Sequence, residues 1–257
     1  MGRPPGARGE GFLTPAIIQS MEVKAVFFDA GETLLYPHPG FVELFSEVVR
    51  KAGHDIDPAR VREVMFGSSQ RFTDWMRSEE ARLWSTSEDR SRAFWRRVYG
   101  SFLSELGIDR DLERLSDALY ARFTDLASYR LHPDALPTLE RLRRTTLTLG
   151  LISNFEEWLE RLLDSLEVAH FFDVTVISGI EGVEKPDPQI FRIALERAGV
   201  APENAVYVGD HPLFDVEAAT DAGMFAVLID RRGHHVDTEA VRITSLEELP
   251  AAVGLDA

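Results

Sequence analysis

Val23–Leu35 reads VKAVFFDAGETLL, and the fold turns on this stretch. Apart from Lys24, Val23–Phe28 is a run of apolar and β-branched residues, the pattern of a parallel strand buried on both faces. It stops at an acid, Asp29, followed by Gly31, Thr33 and the apolar pair Leu34 and Leu35. A carboxylate at the carboxyl end of a buried strand stands where open α/β sheets place their ligands. Taken alone, an Asp that closes a turn after a strand is the plainer reading, so the rest of the chain must decide.

Downstream, Tyr36–Gly40 (YPHPG) is a stiff, helix-free connector. The ninety or so residues after it are helical in pattern. Phe41, Leu44, Phe45, Val48 and Val49 recur at helical spacing up to Gly53. Asp57-Pro58 starts a second helix, Asp as cap and Pro at the first position, expected to reach Trp75 and Met76. Thr86 or Ser87 opens a third, running to Gly107, and Asp109–Ala127 makes a fourth. Leu131-His132-Pro133 closes the insert. From Asp134 the pattern alternates. Helices are expected at Asp134–Arg143, Glu156–Leu166, Asp187–Gly199 and Leu213–Ala222, and strands at Leu147–Ile152, Val174–Ile177, Ala205–Val208 and Phe225–Ile229. Strands alternating with helices of this length mean βαβ units. The expected class is α/β: a Rossmann-like, doubly wound parallel sheet with an inserted all-helical domain. Residues 22–36 and 133–257 form the core and 37–132 the insert. Residues 1–21, rich in Gly, Pro and Arg, read as a disordered tail whose apolar stretch is too short for a signal peptide, with Met21 a candidate start.

Composition excludes several classes. The chain of 257 residues carries 28 basic against 43 acidic residues, a net charge of −15, which argues against nucleic-acid or anionic-membrane partners. A small anionic substrate stays open, because local donors outweigh a global field screened over about 10 Å. With no cysteine, disulfides, thiolate catalysis and Cys-ligated zinc are excluded, and a cytoplasmic location is compatible. No apolar run approaches the roughly 20 residues of a membrane span. Oligomeric state is not legible. Trp75, Trp84 and Trp95 fall in the insert and read as core or rim rather than as a binding cage.

Strand ends of a parallel sheet converge on one edge. That edge would collect Asp29, Ser153-Asn154, Gly209-Asp210 with Asp215 five residues on, and Lys185 from the loop Glu184–Asp187. Separately, each has a bland reading as a cap, a turn or a solvated charge. Together they supply carboxylates, a hydroxyl, an amide and an ammonium. Close carboxylates cannot all stay ionised without a cation, and Mg²⁺ is the oxygen-bound partner that also bridges phosphate. Hydroxyl, turn amides and lysine suit phosphate oxygens, and a carboxylate nucleophile would form an aspartyl phosphate.

In this order, DAGET at Asp29–Thr33, SN at Ser153-Asn154, KP at Lys185-Pro186 and GDHPLFD at Gly209–Asp215 resemble the four motifs of the haloacid-dehalogenase (HAD) superfamily, over roughly Val23–Leu249. The insert resembles that family's type-1 cap, with the two connectors as hinges. The resemblance implies that Asp29 is the nucleophile and that Asp29 and Lys185 are catalytic. It implies further that Thr33, Ser153, Asn154 and Lys185 hold phosphate or substrate. The implied cofactor is Mg²⁺, on Asp29, Asp210, Asp215 and the Gly31 carbonyl. One departure stands out: phosphatases of this family commonly have a second Asp two residues after the nucleophile, where this chain has Gly31, and usually a Gly where it has Glu32. Positioned acid–base catalysis is worth roughly 10²–10⁴ in rate, and Glu32 and His38 are the nearby replacements. The expected function is a Mg²⁺-dependent phosphatase acting on a small phosphorylated metabolite. The alternatives are a 2-haloacid dehalogenase-like hydrolase, whose relatives also lack the second Asp, and a catalytically weak binding protein. Phosphonatase chemistry would need an insert lysine, and Lys51 is ill placed for it. Arg71, Arg92, Arg96 and Arg97 are candidates for an anionic handle.

Overall fold

The computed structural model describes residues 22–67, 83–235, 238 and 240–255; the expected tail, Trp75 and Arg71 lie outside them. Strand β1 (Ala25–Phe28) has all four residues at 0% exposure, as its unbroken apolar run requires. Around it lie β4 (Thr148–Ser153), β5 (Val174–Ile177), β6 (Ala205–Gly209), β7 (Phe225–Ile229) and β8 (Val241–Ile243), in the order β5-β4-β1-β6-β7-β8, every pairing parallel. The chain leaves β1 for one side of the sheet and later returns to the other, so the crevice at β1 is a topological switch point.

Alternation along the strands builds two cores. Val26, Phe28, Leu149, Leu151, Val206 and Val208 face one layer, with Leu139 and Leu142 of helix α5 (Ala135–Arg143) and Leu159, Leu162 and Leu163 of α6 (Leu159–Ser165). Ala25, Phe27, Ile152, Ala205 and Tyr207 face the other. That layer contains Ile190, Phe191 and Ala194 of α8 (Pro188–Ala198), which follows the short α7 (Ser178–Glu181). The expected caps hold: the Asp187 carboxylate accepts from the Gln189 N–H at 2.8 Å, and Gly199 ends α8 at φ 65°.

The helices between the connectors are α1 (Phe41–Lys51), α2 (Pro58–Phe66), α3 (Glu88–Glu105) and α4 (Leu112–Phe123). They bury a core of their own around Leu44, Phe45, Val61, Leu103, Leu115 and Leu119. Asp57 and Ser87 cap α2 and α3 as their sequence suggests. The described part of α2 ends at Phe66; the expected continuation to Met76 lies outside the described residues. The fourth helix is shorter than Asp109–Ala127, because Asp111 is left-handed and Leu126–Ser128 tightens into a 3₁₀ turn.

Three elements depart from expectation. The connectors form an antiparallel ribbon, β2 (Leu35–Pro37) with β3 (Tyr129–Leu131), where the prolines suggested irregular chain; an edge ribbon tolerates proline because one side needs no donor. The helix expected at Leu213–Ala222 begins as a π-helical turn, Pro212–Glu217, continuing as α9 (Ala218–Asp221). Strand β8 carries too short an apolar signal to be seen; α10 (Leu249–Ala252) follows it. Among the described residues no helix is long and apolar enough to cross a membrane.

Candidate active site

Strand register assembles the site. Phe28 lies level with Leu151 and Val208, so the chain emerges from three adjacent strands at one height. Asp29 follows Phe28, and its N–H donates to the Val208 carbonyl at 2.9 Å. Ser153 ends β4 and Asp210 follows β6. Ser153 Oγ donates to Asp29 Oδ1 at 3.0 Å, and Lys185 Nζ donates to the same oxygen at 2.8 Å. Lys185 is 3% exposed and also donates to Asp215 Oδ1 at 2.6 Å and to the Tyr207 hydroxyl at 2.8 Å. The hydroxyl in turn lies 3.0 Å from both the Ile152 carbonyl and Asp215 Oδ1. Asp215 Oδ2 accepts from the His211 N–H at 2.8 Å.

The π turn makes that placement possible. Val216 N–H reaches back five residues to the His211 carbonyl, 3.3 Å away, and the widened turn tips the Asp215 carboxylate under the strand ends, a device common at functional sites. Gly209 completes it, because a Cβ there would lie 2.3 Å from the Asp215 carboxyl carbon.

Asp29, Asp210 and Asp215 each offer a carboxylate oxygen within 4.8 Å of the others. Burial, reinforced by Asp215 and Asp29, pushes Asp210 well above the ordinary carboxylate range. Asp29 is raised by burial and by Asp215, against the pull of Lys185. Burial works against the Lys185 ammonium, yet the two carboxylates outweigh it and raise its pKa. One ammonium faces three acids, and among the described residues nothing donates a hydrogen bond to the Asp210 carboxylate. Such a hard, all-oxygen set with surplus negative charge suits a divalent cation of the Mg²⁺ type.

The other expected residues are placed less directly. Asn154 is spent on the lysine loop: its amide donates to the Lys185 carbonyl at 2.8 Å and accepts the Lys185 N–H at 2.7 Å. Thr33 is fully buried, and its hydroxyl has no partner among the described residues. Its carbonyl accepts from Arg231 Nη2 at 2.7 Å, while Arg231 grips Asp134 with both Nη atoms at 2.7 and 2.9 Å. Glu32 stands at φ 55°, a left-handed conformation that explains why glycine suits this position. Its carboxylate pairs with Arg232 at 2.8 Å. His38 is exposed in the bend just after β2. Gly31 has an ordinary backbone conformation, and a Cβ built on it meets nothing within 4 Å.

Two groups of contributors escaped the sequence reading. Tyr207 falls inside the expected strand Ala205–Val208; a buried tyrosine needs a partner for its hydroxyl, and its position two residues before Gly209-Asp210 is the available hint. Glu156 and Glu184 fasten the insert to the sheet. Glu184 accepts from Leu83 N, Ser85 N and Ser85 Oγ at 2.6, 2.9 and 2.6 Å. Glu156 accepts from Ser91 Oγ at 2.5 Å and the Tyr120 hydroxyl at 2.6 Å. Burial raises both carboxyls above their ordinary value. Between insert and sheet lies a cavity of about 140 Å³ bordered by Gly31, Glu32, Asn154 and Glu156 below and by a ring of aromatics that includes Trp84, Trp95 and Trp158. Trp84 and Trp95 pack against the insert's core clusters, as expected, and also border this cavity.

A six-stranded parallel sheet with an acid cluster at its switch point, a buried lysine and a helical insert defines a hydrolase built on a Rossmann-like core. The haloacid dehalogenase-like hydrolase model matches residues 23–223, and the chain belongs to that family. It is 35% identical to a phosphoserine phosphatase of Thermus thermophilus over 91% of this chain and 100% of that protein. Among solved structures it resembles a HAD phosphatase from Thermococcus onnurineus (28% identity, TM-score 0.57, 90% of this chain and 98% of that one). It likewise resembles a 2-haloacid dehalogenase from Pseudomonas syringae pv. Tomato DC3000 (28% identity, TM-score 0.59, 91% and 100%).

Proposed function

We propose that the chain is a Mg²⁺-dependent phosphomonoesterase acting on a small phosphorylated metabolite through an aspartyl phosphate at Asp29. The observation that carries this reading is Asp29 itself, buried at a strand end with one oxygen held by both Ser153 and Lys185 and with Asp210 and Asp215 beside it. The relative named as a phosphoserine phosphatase supports the phosphate-ester class. In this reading Asp29 Oδ2, which no described group occupies, attacks phosphorus. Lys185, held in place by Asp215, Tyr207 and Asn154, keeps the nucleophile ionised and meets the phosphoryl oxygens together with Ser153. Mg²⁺, held by Asp29, Asp210 and the Gly31 carbonyl with Asp215 in support, would neutralise the surplus charge and bind phosphate oxygens. Thr33 is proposed as a further contact. Residues 22–36 and 133–257 would act as the catalytic core and 37–132 as a cap that closes on the substrate, in the cytoplasm.

The test is phosphate release from a metabolite panel, with and without Mg²⁺, by wild type and Asp29→Asn. The variant should lose about 10³-fold or more; equal activity in the two would end the assignment. Dehalogenation is the second reading, favoured by the missing side chain at Gly31 and the dehalogenase structural neighbour. It would show as halide release from a 2-haloacid that persists in EDTA.

A further inference from the structure

The cavity above Gly31 is small, dry in character and aromatic. Trp84, Trp95, Tyr99, Tyr129, Phe155 and Trp158 supply most of its wall. Trp95 lies 5.6 Å edge-on from Trp84 and 5.5 Å stacked on Tyr99, and Phe155 meets Trp158 edge-on at 4.7 Å. Four of the polar groups on this wall are committed elsewhere, whereas the buried Trp158 Nε1 has no partner among the described residues. Tyr129 donates to the Phe123 carbonyl at 2.8 Å and Tyr120 donates to Glu156. Glu156 is satisfied by Ser91 and Tyr120, and Glu32 by Arg232. Among the described lining residues there is no lysine or arginine. Of the arginines singled out for an anionic handle, the described ones, Arg92, Arg96 and Arg97, are not among its lining residues. Arg92 and Arg96, with Arg161, line a separate crevice of about 510 Å³ that shares only Tyr120, Thr124 and Trp158 with the first, and Glu88, Asp117 and Glu157 face them there.

We propose, building on the phosphatase reading, that the substrate is an aryl phosphate: a monoester whose leaving group is a single uncharged phenolic ring. Three independent features converge on this class. Size is the first. The volume of about 140 Å³ is close to the roughly 150 Å³ of an apolar cavity known to hold benzene, so one ring fits. Chemistry of the wall is the second. Aromatic faces and edges complement a ring, whereas the carboxylate of an amino-acid phosphate would be desolvated there with no cation among the described lining residues to meet it. The third is Gly31. It borders the cavity two residues past the nucleophile and carries no group that could protonate a departing oxygen, although its backbone and the open space beside it would accept a side chain. A phenol ionises near the pKa of about 10 of a tyrosine side chain, and an aliphatic alcohol near the value of about 15.7 of water. The phenolate therefore leaves without help where an alkoxide does not. Asp29 Oδ2 bonds to phosphorus as the phosphorus–oxygen bond to the ring breaks. The bonding pair stays on the phenolate, which takes its proton from water once released. Water oxygen then adds to phosphorus, the bond to Asp29 breaks with its pair returning to the carboxylate, and the protons of that water go to phosphate and solvent.

The experiment measures kcat/KM in Mg²⁺ for phenyl phosphates spanning a range of leaving-group pKa, and for phosphoserine and glycerol phosphate, on wild type and Gly31→Asp. Binding of phenyl phosphate and phosphoserine to Asp29→Asn is followed by tryptophan fluorescence. Wild type should favour phenyl phosphate over phosphoserine by about 10²-fold or more, with rates falling as leaving-group pKa rises, and only phenyl phosphate should quench the fluorescence. Gly31→Asp should flatten that dependence and raise the alkyl esters selectively, by up to about 10²–10⁴. Should Gly31→Asp fail to fold, the wild-type slope and the quenching decide alone. Asp29-dependent turnover of phosphoserine equal to that of phenyl phosphate, or a flat slope in wild type, would overturn the aryl assignment and leave the phosphatase reading standing. No Asp29-dependent turnover of any ester would overturn both.

Discussion

The floor and the roof of this site are built on opposite principles. The floor concentrates charge: three carboxylates and one ammonium, nearly all buried, with Asp29, Asp215 and Lys185 tied by hydrogen bonds of 2.6–3.0 Å. The roof excludes it, with aromatic rings stacked from Phe41 through Phe123 and Tyr99 to Trp95, and Trp84 edge-on beyond. Buried charges are costly unless fully partnered, so the floor tolerates little change in chemistry. Stacked rings gain mainly by area and shape, so the roof can vary in outline while staying apolar. The two meet at Glu184 and Glu156, core carboxylates whose donors come from the insert. Glu184 is also the residue directly before Lys185, so the contact that seats the roof anchors the loop carrying the floor's only described cation.

This contrast can be broken at several points. The largest effect on stability is expected from Lys185→Ala, which leaves Asp29 and Asp215 buried without their cation. Urea unfolding should show a loss of about 3–5 kcal/mol, and added Mg²⁺ should recover part of it, because a ligand of the folded state stabilises by mass action. A variant as stable as wild type would mean that the floor is not held by charge pairing. Ser85→Ala removes one hydroxyl from Glu184 and should cost about 1.5–3 kcal/mol, the range for a hydrogen bond to a charged group. If the insert closes on the substrate as proposed, the variant should also raise KM; a change confined to the unfolding midpoint would show the junction to be structural only.

The smallest effect is expected at the hinge. Burial and the nearby Arg231 depress His132 from 6.5 to about 4, so the fold favours its neutral ring, which lies 4.7 Å from that of Tyr36. The associated stability is complete above about pH 6.5 and is lost as pH falls toward about 4. Discounted for the ring's partial exposure, it amounts to about 1–2 kcal/mol. Unfolding midpoints of wild type and His132→Gln should therefore converge as pH drops from 7 to 4.5; a constant gap would show that the ring does not titrate with folding.

How far could the sequence be read? Wherever the signal is local, it was legible. Ala25–Phe28 declares a doubly buried strand by its uninterrupted apolar run, and Asp57-Pro58 and Asp187-Pro188 announce helix starts because cap and φ restriction act within four residues. The acids at strand ends could be assembled on paper because parallel strands share a direction. The π turn at Pro212–Glu217 was not legible, since its apolar spacing is also that of an α-helix and the extra residue is decided by where Asp215 must reach. Nor was the ribbon of Leu35–Pro37 with Tyr129–Leu131, whose partners lie ninety residues apart. Tyr207, Glu156 and Glu184 read as ordinary strand, helix and loop residues, because their partners lie far away in the chain.

By itself, the sequence determined the α/β alternation, the helical interruption and the identity of the acids, because periodicity, caps and strand ends are properties of neighbouring residues. Only the tertiary structure decided that Lys185 points inward between Asp29 and Asp215, that Asn154 holds the lysine loop, and that rings from four parts of the chain enclose a cavity the size of one benzene. Those facts depend on distances between residues far apart in the chain, and such distances exist only once strand register and packing have fixed them.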